Sequence, residues 1–230
     1  MQRSSVKGVL VGAVVLGTAA GTTAPATAAE VREADDYVAV VIEAEDYVTI
    51  DERWVPTDAS TAATPETDPD PDGNHSDGAS GGVYLEVLPD HRQKHELTVP
   101  EGTPLSKSLW GKPGTGPSAS YAVDFPEPGR YHVHVRAYTT GTEDNGIHIG
   151  LNGNWPSSGA ALQICTAAAR EWRWSDKKRD SGGEACGIRH TIWLDVDEAG
   201  PATVWISARE DGFEIDRMIL IKDRSDNTRR

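Results

Sequence analysis

The fold is decided near the C-terminus by one stretch, Arg209-Glu210-Asp211-Gly212-Phe213-Glu214-Ile215-Asp216-Arg217-Met218-Ile219-Leu220. It sets four carboxylates around one glycine and then becomes apolar. The apolar positions recur at roughly strand spacing, at Phe213, Ile215, Ile219 and Ile221. This pattern predicts a turn that enters the last strand of a sheet, with acids at the mouth of the strand. Four neighbouring carboxylates repel unless a positive group neutralises them. The alternatives are Arg209 and Arg217, a bound cation or plain solvation.

Alternating apolar residues predict further strands upstream of this stretch. In residues 38–45, apolar positions 40, 42 and 44 fall on one face, and Glu43 and Glu45 fall on the other. Residues 130–138 alternate most clearly, and their polar face consists of His132, His134, Arg136 and Tyr138. No long amphipathic helical pattern occurs. Many short strands joined by turns rich in Gly and Pro predict an all-β fold, either a sandwich or a barrel.

Two tryptophans lie inside predicted strands. Trp193 and Trp205 alternate with apolar neighbours on either side. We therefore expect both indoles to pack in the core, on one face of a sheet.

The first 29 residues differ from the rest of the chain. Arg3 and Lys7 precede an apolar segment at residues 9–16 and a small-residue cleavage signal at 26–28, which is typical of a secretory signal peptide. No segment is long and apolar enough for a membrane span, so we expect a secreted protein. Residues 30–222 are expected to form one domain with long loops at 51–82 and 89–118, and residues 223–230 a disordered tail.

Cysteine content and charge restrict the possible partners. Cys165 and Cys186 are the two cysteines, and in an exported chain a disulfide between them is favoured over metal ligation. The chain has 22 basic and 36 acidic residues and a formal net charge of −14. This charge argues against binding to nucleic acid or anionic lipid. It is compatible with calcium and neutral sugars, and we expect a monomer.

Four motifs occur in order: Ile42-Glu43-Ala44-Glu45-Asp46-Tyr47, Ser80-Gly81-Gly82-Val83-Tyr84, Pro128-Gly129-Arg130-Tyr131-His132-Val133-His134-Val135-Arg136 and Phe213-Glu214-Ile215-Asp216-Arg217. Together they resemble carbohydrate-binding modules of families 6 and 35. The run DNGIHIGLNGNWP at residues 144–156 is similar to a subgroup found beside polysaccharide-degrading enzymes, agarases among them. The resemblance extends over about residues 38–222. It implies an all-β β-sandwich, a jelly roll of the galactose-binding-like kind.

The resemblance also implies a structural calcium ion. Carried over residue by residue, its ligands are Glu43, Glu45 and Asp216, and carboxylate oxygens suit this hard cation. The alternative is that these acids are solvated or paired with Arg209 or Arg217.

A further implication of the resemblance is a site for a polysaccharide or oligosaccharide in loops at one end of the sandwich. There an aromatic ring stacks on the apolar face of a pyranose, and polar groups bind its hydroxyls. Trp172 or Trp174 lies where the family places its stacking tryptophan. The expected ligand-binding residues are Trp172, Trp174, Trp155, Tyr84, Asp144, Asn145, Glu210, Asp211 and Glu214. Glu214 stands where the family often has asparagine, which suggests a different sugar.

Two other functions stay open, although binding without catalysis is favoured. The polar face of residues 132–138 is compatible with a small polysaccharide lyase, and Glu210 with Glu214 is compatible with a glycoside hydrolase. An extracellular adhesion module with a protein ligand is the third hypothesis. Zinc at His132 and His134 would need a third ligand, which the sequence does not locate.

Overall fold

The chain folds as a sandwich of two antiparallel β-sheets in a computed structural model. The structure describes residues 29–61, 73–91, 108–141, 144–164, 170–179 and 187–224. The helical segments that lie entirely within these residues are short 3-10 turns at Ser76–Gly78, Ser80–Gly82 and Ser157–Gly159. No helix in the described residues is both long enough and apolar enough to span a lipid bilayer.

The described residues form thirteen strands, numbered in chain order, in two sheets. Sheet A contains β1 (Glu30–Glu33), β2 (Tyr37–Glu43), β4 (Trp54–Asp58), β5 (Val83–Val87), β7 (Gly129–Tyr138), β10 (Arg173–Ser175), β11 (Trp193–Val196) and β13 (Glu214–Asp223). Sheet B contains β3 (Thr49–Ile50), β6 (Ser118–Phe125), β8 (Gly146–Leu151), β9 (Leu162–Gln163) and β12 (Gly200–Ala208). Because the chain switches repeatedly between the sheets, its connections cross as in a jelly roll. The predicted all-β sandwich is confirmed.

The core lies between the sheets and follows the predicted alternation. Apolar positions 38, 40 and 42 of β2 and position 44 beyond it face inward, as do positions 131, 133, 135 and 137 of β7. Sheet B contributes Tyr121, Phe125, Ile147 and Ile149, all essentially inaccessible to solvent. Burying side chains of this size stabilises the fold by about 1.5–3 kcal/mol each. As a consequence, the polar residues of β7 lie on the outer face of sheet A.

Strand β13 contains an irregularity that the sequence did not reveal. It pairs with β5 through its first two residues, with β2 from Arg217 onward, and with β7 along its other side. Its register with β7 shifts at Asp216, which makes this residue a β-bulge. Ile215 before the bulge and Met218 after it both lie in the core. The regular apolar spacing predicted through Ile219 and Ile221 does not continue into the core, because the extra residue reverses the alternation and directs Met218 and Leu220 inward instead.

Several predicted segments differ from the structure or fall outside it. The loop expected at 51–82 includes strand β4, which pairs with β5. In the expected tail, Asp223 completes β13, and Arg224 forms ion pairs with Glu127 at 2.6 Å and Glu33 at 2.7 Å. The described residues do not include the predicted signal peptide up to residue 28, residues 62–72, 92–107 and 225–230, or the cysteines Cys165 and Cys186.

Candidate functional site

Basic groups meet the first two acids at the mouth of β13. Glu210 pairs with the guanidinium groups of Arg209 and, at 3.6 Å, of Arg179. Asp211 accepts a hydrogen bond from the backbone N–H of His91 at 3.0 Å, and the Nδ1 atom of His91 lies 3.1 Å from the same carboxylate oxygen. Both acids are at most 1% exposed. Protein groups and not solvent therefore compensate these two charges.

The other two acids have partners from distant segments. The Nδ1 atom of His75 lies 2.8 Å from Glu214. Arg136 donates a hydrogen bond of 2.6 Å to Asp216, and the backbone N–H of Ser80 donates one of 2.5 Å. Each partner is separated from its acid by 80 or more residues. Sequence reasoning missed these pairs because no local pattern links such distant positions.

An aromatic cluster forms beside these acids. The rings of His75 and Tyr138 stack with centroids 3.6 Å apart. Trp172 packs edge-on against Tyr138 and Tyr84, at 5.6 and 5.5 Å, and its indole N–H donates to the carbonyl of His75 at 3.1 Å. A Cβ at Gly78 would lie 2.4 Å from this indole. Trp172 is therefore fixed in place and half-buried, with its polar atom already bonded inside the protein.

Trp174 is the one tryptophan of the described residues with an exposed side chain. It lies in β10 opposite Arg136 of β7, so both point to the outer face of sheet A. Trp174 as a residue keeps 45% of its surface accessible. A short strand in a sheet holds this ring more rigidly than a loop would. The structure thus places Trp172 and Trp174 on the same side of the sandwich as Glu214 and the fully buried Tyr84.

Trp193 lies on the same outer face, farther along β7. Trp193 lies directly opposite His132 on the neighbouring strand β7. The guanidinium carbon of Arg130 lies 4.5 Å from the centroid of the Trp193 ring. Trp193 and Trp205 are both half-buried. The expectation that they belong to the core is wrong, because their apolar neighbours occupy the inward positions of the alternation and leave both indoles on outer faces.

The remaining predicted ligand-binding residues lie elsewhere. Trp155 packs against sheet B, where a Cβ on Gly150 would come 2.9 Å from its ring. Asp144 accepts hydrogen bonds from the backbone and hydroxyl of Thr140, and burial raises the pKa of its carboxyl. Asn145 is buried beside it and donates its backbone N–H to Glu210 at 3.1 Å. The structure does not bring these residues to the exposed face around Trp174.

Of the three acids expected to bind calcium, Glu43 and Asp216 act on Glu45 through their charges, but the three do not form a group of converging ligand atoms in the described residues. Arg217 pairs with Glu43 at 2.5 Å, and Asp216 is bonded as described above. One oxygen of Glu45 is buried without a hydrogen-bond partner. Burial, reinforced by the negative charges of Glu43, Asp46 and Asp216, raises the pKa of Glu45 to about 7. A Cβ on Gly81 would approach the other Glu45 oxygen at 3.2 Å, so the glycine turn leaves little room there. An orphaned carboxylate oxygen in a negative environment fits a cation.

Comparison with known sequences gives one related protein of unassigned role. No protein-family model matches the sequence. An uncharacterised protein of Formosa agariphila is 46% identical over 151 residues, which cover 66% of this chain. The chain matches only 35% of the length of that protein.

Comparison with solved structures gives carbohydrate-binding modules of low similarity. A family 35 module from Clostridium thermocellum is 15% identical with a TM-score of 0.46, over 79% of this chain and 96% of that module. The C-terminal family 6 module of a marine laminarinase from Zobellia galactanivorans is 14% identical with a TM-score of 0.40, over 80% of this chain and 99% of that module. These are the two families that the four motifs resemble. Similarities this distant do not assign a ligand to this chain.

Proposed function

We propose that this chain binds a saccharide on the outer face of sheet A without cutting it, and that Trp174 is the ring on which the sugar stacks. The observation that carries the proposal is the exposure of this indole on a strand. Removing apolar surface from water is favourable, so a ligand that covers this ring gains binding free energy. The C–H face of a pyranose is apolar and flat enough to do so.

Polar side chains continue from this indole across the sheet. The register places Arg136 opposite Trp174, Arg217 opposite Arg136, and Glu43 opposite Arg217. Neighbouring strands lie about 4.8 Å apart, so this row spans roughly 14 Å. An apolar ring at one end of a row of hydrogen-bonding groups suits a saccharide, whose faces are apolar and whose rim carries hydroxyls.

In this proposal, six of the nine predicted ligand-binding residues stabilise the protein and do not contact the saccharide. Each is at most 1% exposed, which leaves no surface for a ligand: Tyr84, Asp144, Asn145, Glu210, Asp211 and Glu214. Their hydrogen bonds and ring contacts stabilise buried turns of the sandwich. Trp172 is half-buried and forms the wall next to Trp174.

The proposal includes a structural calcium ion and export from the cell. Glu43, Glu45 and Asp216 would hold the ion, and its charge would offset the repulsion among the three carboxylates. The orphaned Glu45 oxygen supports this assignment. Export is supported by the basic and apolar N-terminal segment of the sequence.

The proposal is tested by electrophoresis in gels that contain one soluble polysaccharide each, from a panel of neutral and acidic glycans. We expect at least one glycan to retard the protein, and Trp174→Ala to abolish the retardation. Truncating a central aromatic anchor costs about 2 kcal/mol, or roughly 30-fold in affinity. Trp205→Ala, a half-buried indole on the outer face of sheet B, is the matched control and should bind normally.

Three outcomes would contradict the proposal. If Trp174→Ala binds as tightly as the parent protein, the ring is not part of the site. If the protein releases reducing ends or unsaturated products from the glycan that retards it, the function is catalytic. Binding that free sugar does not compete, and that protease treatment of a partner removes, would instead indicate adhesion to protein.

A further inference from the structure

We propose that His134, Asp176 and His190 bind a divalent first-row transition metal ion, with Zn²⁺ the best suited. Within the described parts of the chain these three residues form the one group of three or more His, Cys, Asp or Glu side chains whose ligand atoms all lie within 4.8 Å of one another. Imidazole nitrogens favour zinc, nickel and copper, whereas calcium prefers oxygen ligands. Two imidazoles and one carboxylate therefore select a different class of ion from the cluster around Glu45.

Three separate segments bring the ligands together. His134 projects from β7 to the outer face of sheet A. Asp176 directly follows β10, and because Ser175 pairs with Val135, continuing that register brings Asp176 opposite His134. His190 lies in the turn before β11, and its backbone N–H donates to the Asp176 carboxylate at 3.1 Å. The sequence analysis considered His134 together with His132, whereas the structure brings His134 to Asp176 and His190, which lie 42 and 56 residues downstream.

The backbone around the site is held in place. Thr191 donates its backbone N–H to the carbonyl of Asp176 at 3.2 Å, and its hydroxyl accepts from the backbone of Lys178 at 2.8 Å. His190 has a φ of 57°, a left-handed conformation that is uncommon for a residue other than glycine. This conformation directs the imidazole of His190 toward the carboxylate. Residues held in sparsely populated conformations cluster at functional sites.

The distances between the ligand atoms lie on either side of the separation expected between two ligands of one zinc ion. Nδ1 of His190 lies 2.8 Å and Nδ1 of His134 lies 3.9 Å from the same oxygen of Asp176. Ligands about 2.0–2.2 Å from a tetrahedral zinc ion are separated from each other by roughly 3.3–3.6 Å. Small side-chain rotations therefore suffice to admit the ion. On binding at Nδ1 of His190, the ion takes the place of the hydrogen between this nitrogen and Asp176, and the neutral imidazole then carries its one proton on Nε2.

The environment leaves room for the ion and for one further ligand. The side chain of Asp176 is only 4% exposed, whereas that of His190 is 58% exposed, so the site opens to solvent on one side. Arg189 lies 3.8 Å from the second oxygen of Asp176, but its side chain is 71% exposed and free to turn outward. Three protein ligands leave the fourth position of a zinc ion for water or an external oxygen or nitrogen ligand.

The test is titration of the untagged, metal-stripped chain with ZnCl₂ by calorimetry and with CoCl₂ by visible absorption. We expect one Zn²⁺ per chain, and Co²⁺ spectra with the intensity of four- or five-coordinate ions. Asp176→Asn and His190→Gln should each weaken zinc binding by more than about 100-fold, beyond what the loss of an outer-shell partner costs. Asp195→Asn removes the same charge from an exposed position of β11 and should bind zinc normally.

His190→Gln alters an exposed turn residue, so it keeps the test valid if Asp176→Asn unfolds; circular dichroism of each metal-free variant checks this. The proposal is overturned if the parent protein takes up no zinc, or if His190→Gln binds it as tightly as the parent does. Displacement of zinc by millimolar CaCl₂ would also overturn it, because that result would indicate an oxygen-dominated site.

Discussion

Replacing Glu45 with glutamine is expected to change the stability of the protein in opposite directions with and without calcium. Glu45 lies beside Glu43 and Asp216, and one of its oxygens is buried without a hydrogen-bond partner. Without a cation, the ionised carboxylate is unfavourable in this position. With calcium bound, the same charge becomes a ligand.

The magnitude follows from the raised pKa. A carboxyl whose pKa rises from 4.5 to about 7 on folding destabilises the ionised native state by roughly 3 kcal/mol. Glu45 is only partly buried, so solvent screening reduces this to about 1–2 kcal/mol. A group with a raised pKa contributes stability that is complete below pH 4.5 and lost as the pH rises through about 7. At pH 8 in chelator, Glu45→Gln should therefore be about 1–2 kcal/mol more stable than the parent protein.

Calcium should reverse this order. An ion present at 100 times its dissociation constant stabilises the parent protein by about 2.7 kcal/mol, and the variant lacks one of the ligands. Urea unfolding at pH 8, followed by tryptophan fluorescence in EDTA and in CaCl₂, measures both effects. Glu52→Gln, an exposed carboxylate nearby, is the matched control and should change neither value by more than about 0.5 kcal/mol. If Glu45→Gln destabilises the protein equally in both solutions, the assignment of a cation to this cluster is wrong.

Three further changes test the surroundings of the site. Gly78→Ala should lower the free energy of unfolding by about 1–3 kcal/mol and alter the near-UV circular dichroism, because the new methyl group collides with Trp172. Gly111→Ala is the control: its methyl group meets no atom within 4 Å, so stability should not change. Arg136→Met should lower the free energy of urea unfolding in EDTA by about 3 kcal/mol, because it removes the guanidinium that pairs with the buried carboxylate of Asp216. An unchanged unfolding midpoint would contradict this pairing. His148 should remain neutral as the pH falls below 6.5, since burial lowers its pKa and both ring nitrogens bond to backbone groups. Stability should then fall with the pH below 6.5, and ring-proton shifts that titrate near 6.5 in NMR spectra would refute this.

The candidate site could be predicted only in part. Trp172 and Trp174 were singled out for their positions in the chain, and the structure places both on the outer side of sheet A. Sequence did not distinguish the exposed indole from the one enclosed by the aromatic cluster. That difference depends on Gly78 and His75, which lie about 100 residues earlier and reach Trp172 only in the folded chain.

Local sequence was sufficient to predict the long strands β2 and β7 and their polar faces, but it did not predict β4. In β2 and β7 the alternation of apolar and polar residues is a local property with a period of two, so it survives without knowledge of the fold. The tertiary structure alone decided the bulge at Asp216 and the partners of the acids. The partners depend on strand order and register, which join residues far apart in the chain. At the bulge, a register shift of one residue turns every later side chain of β13 to the opposite face.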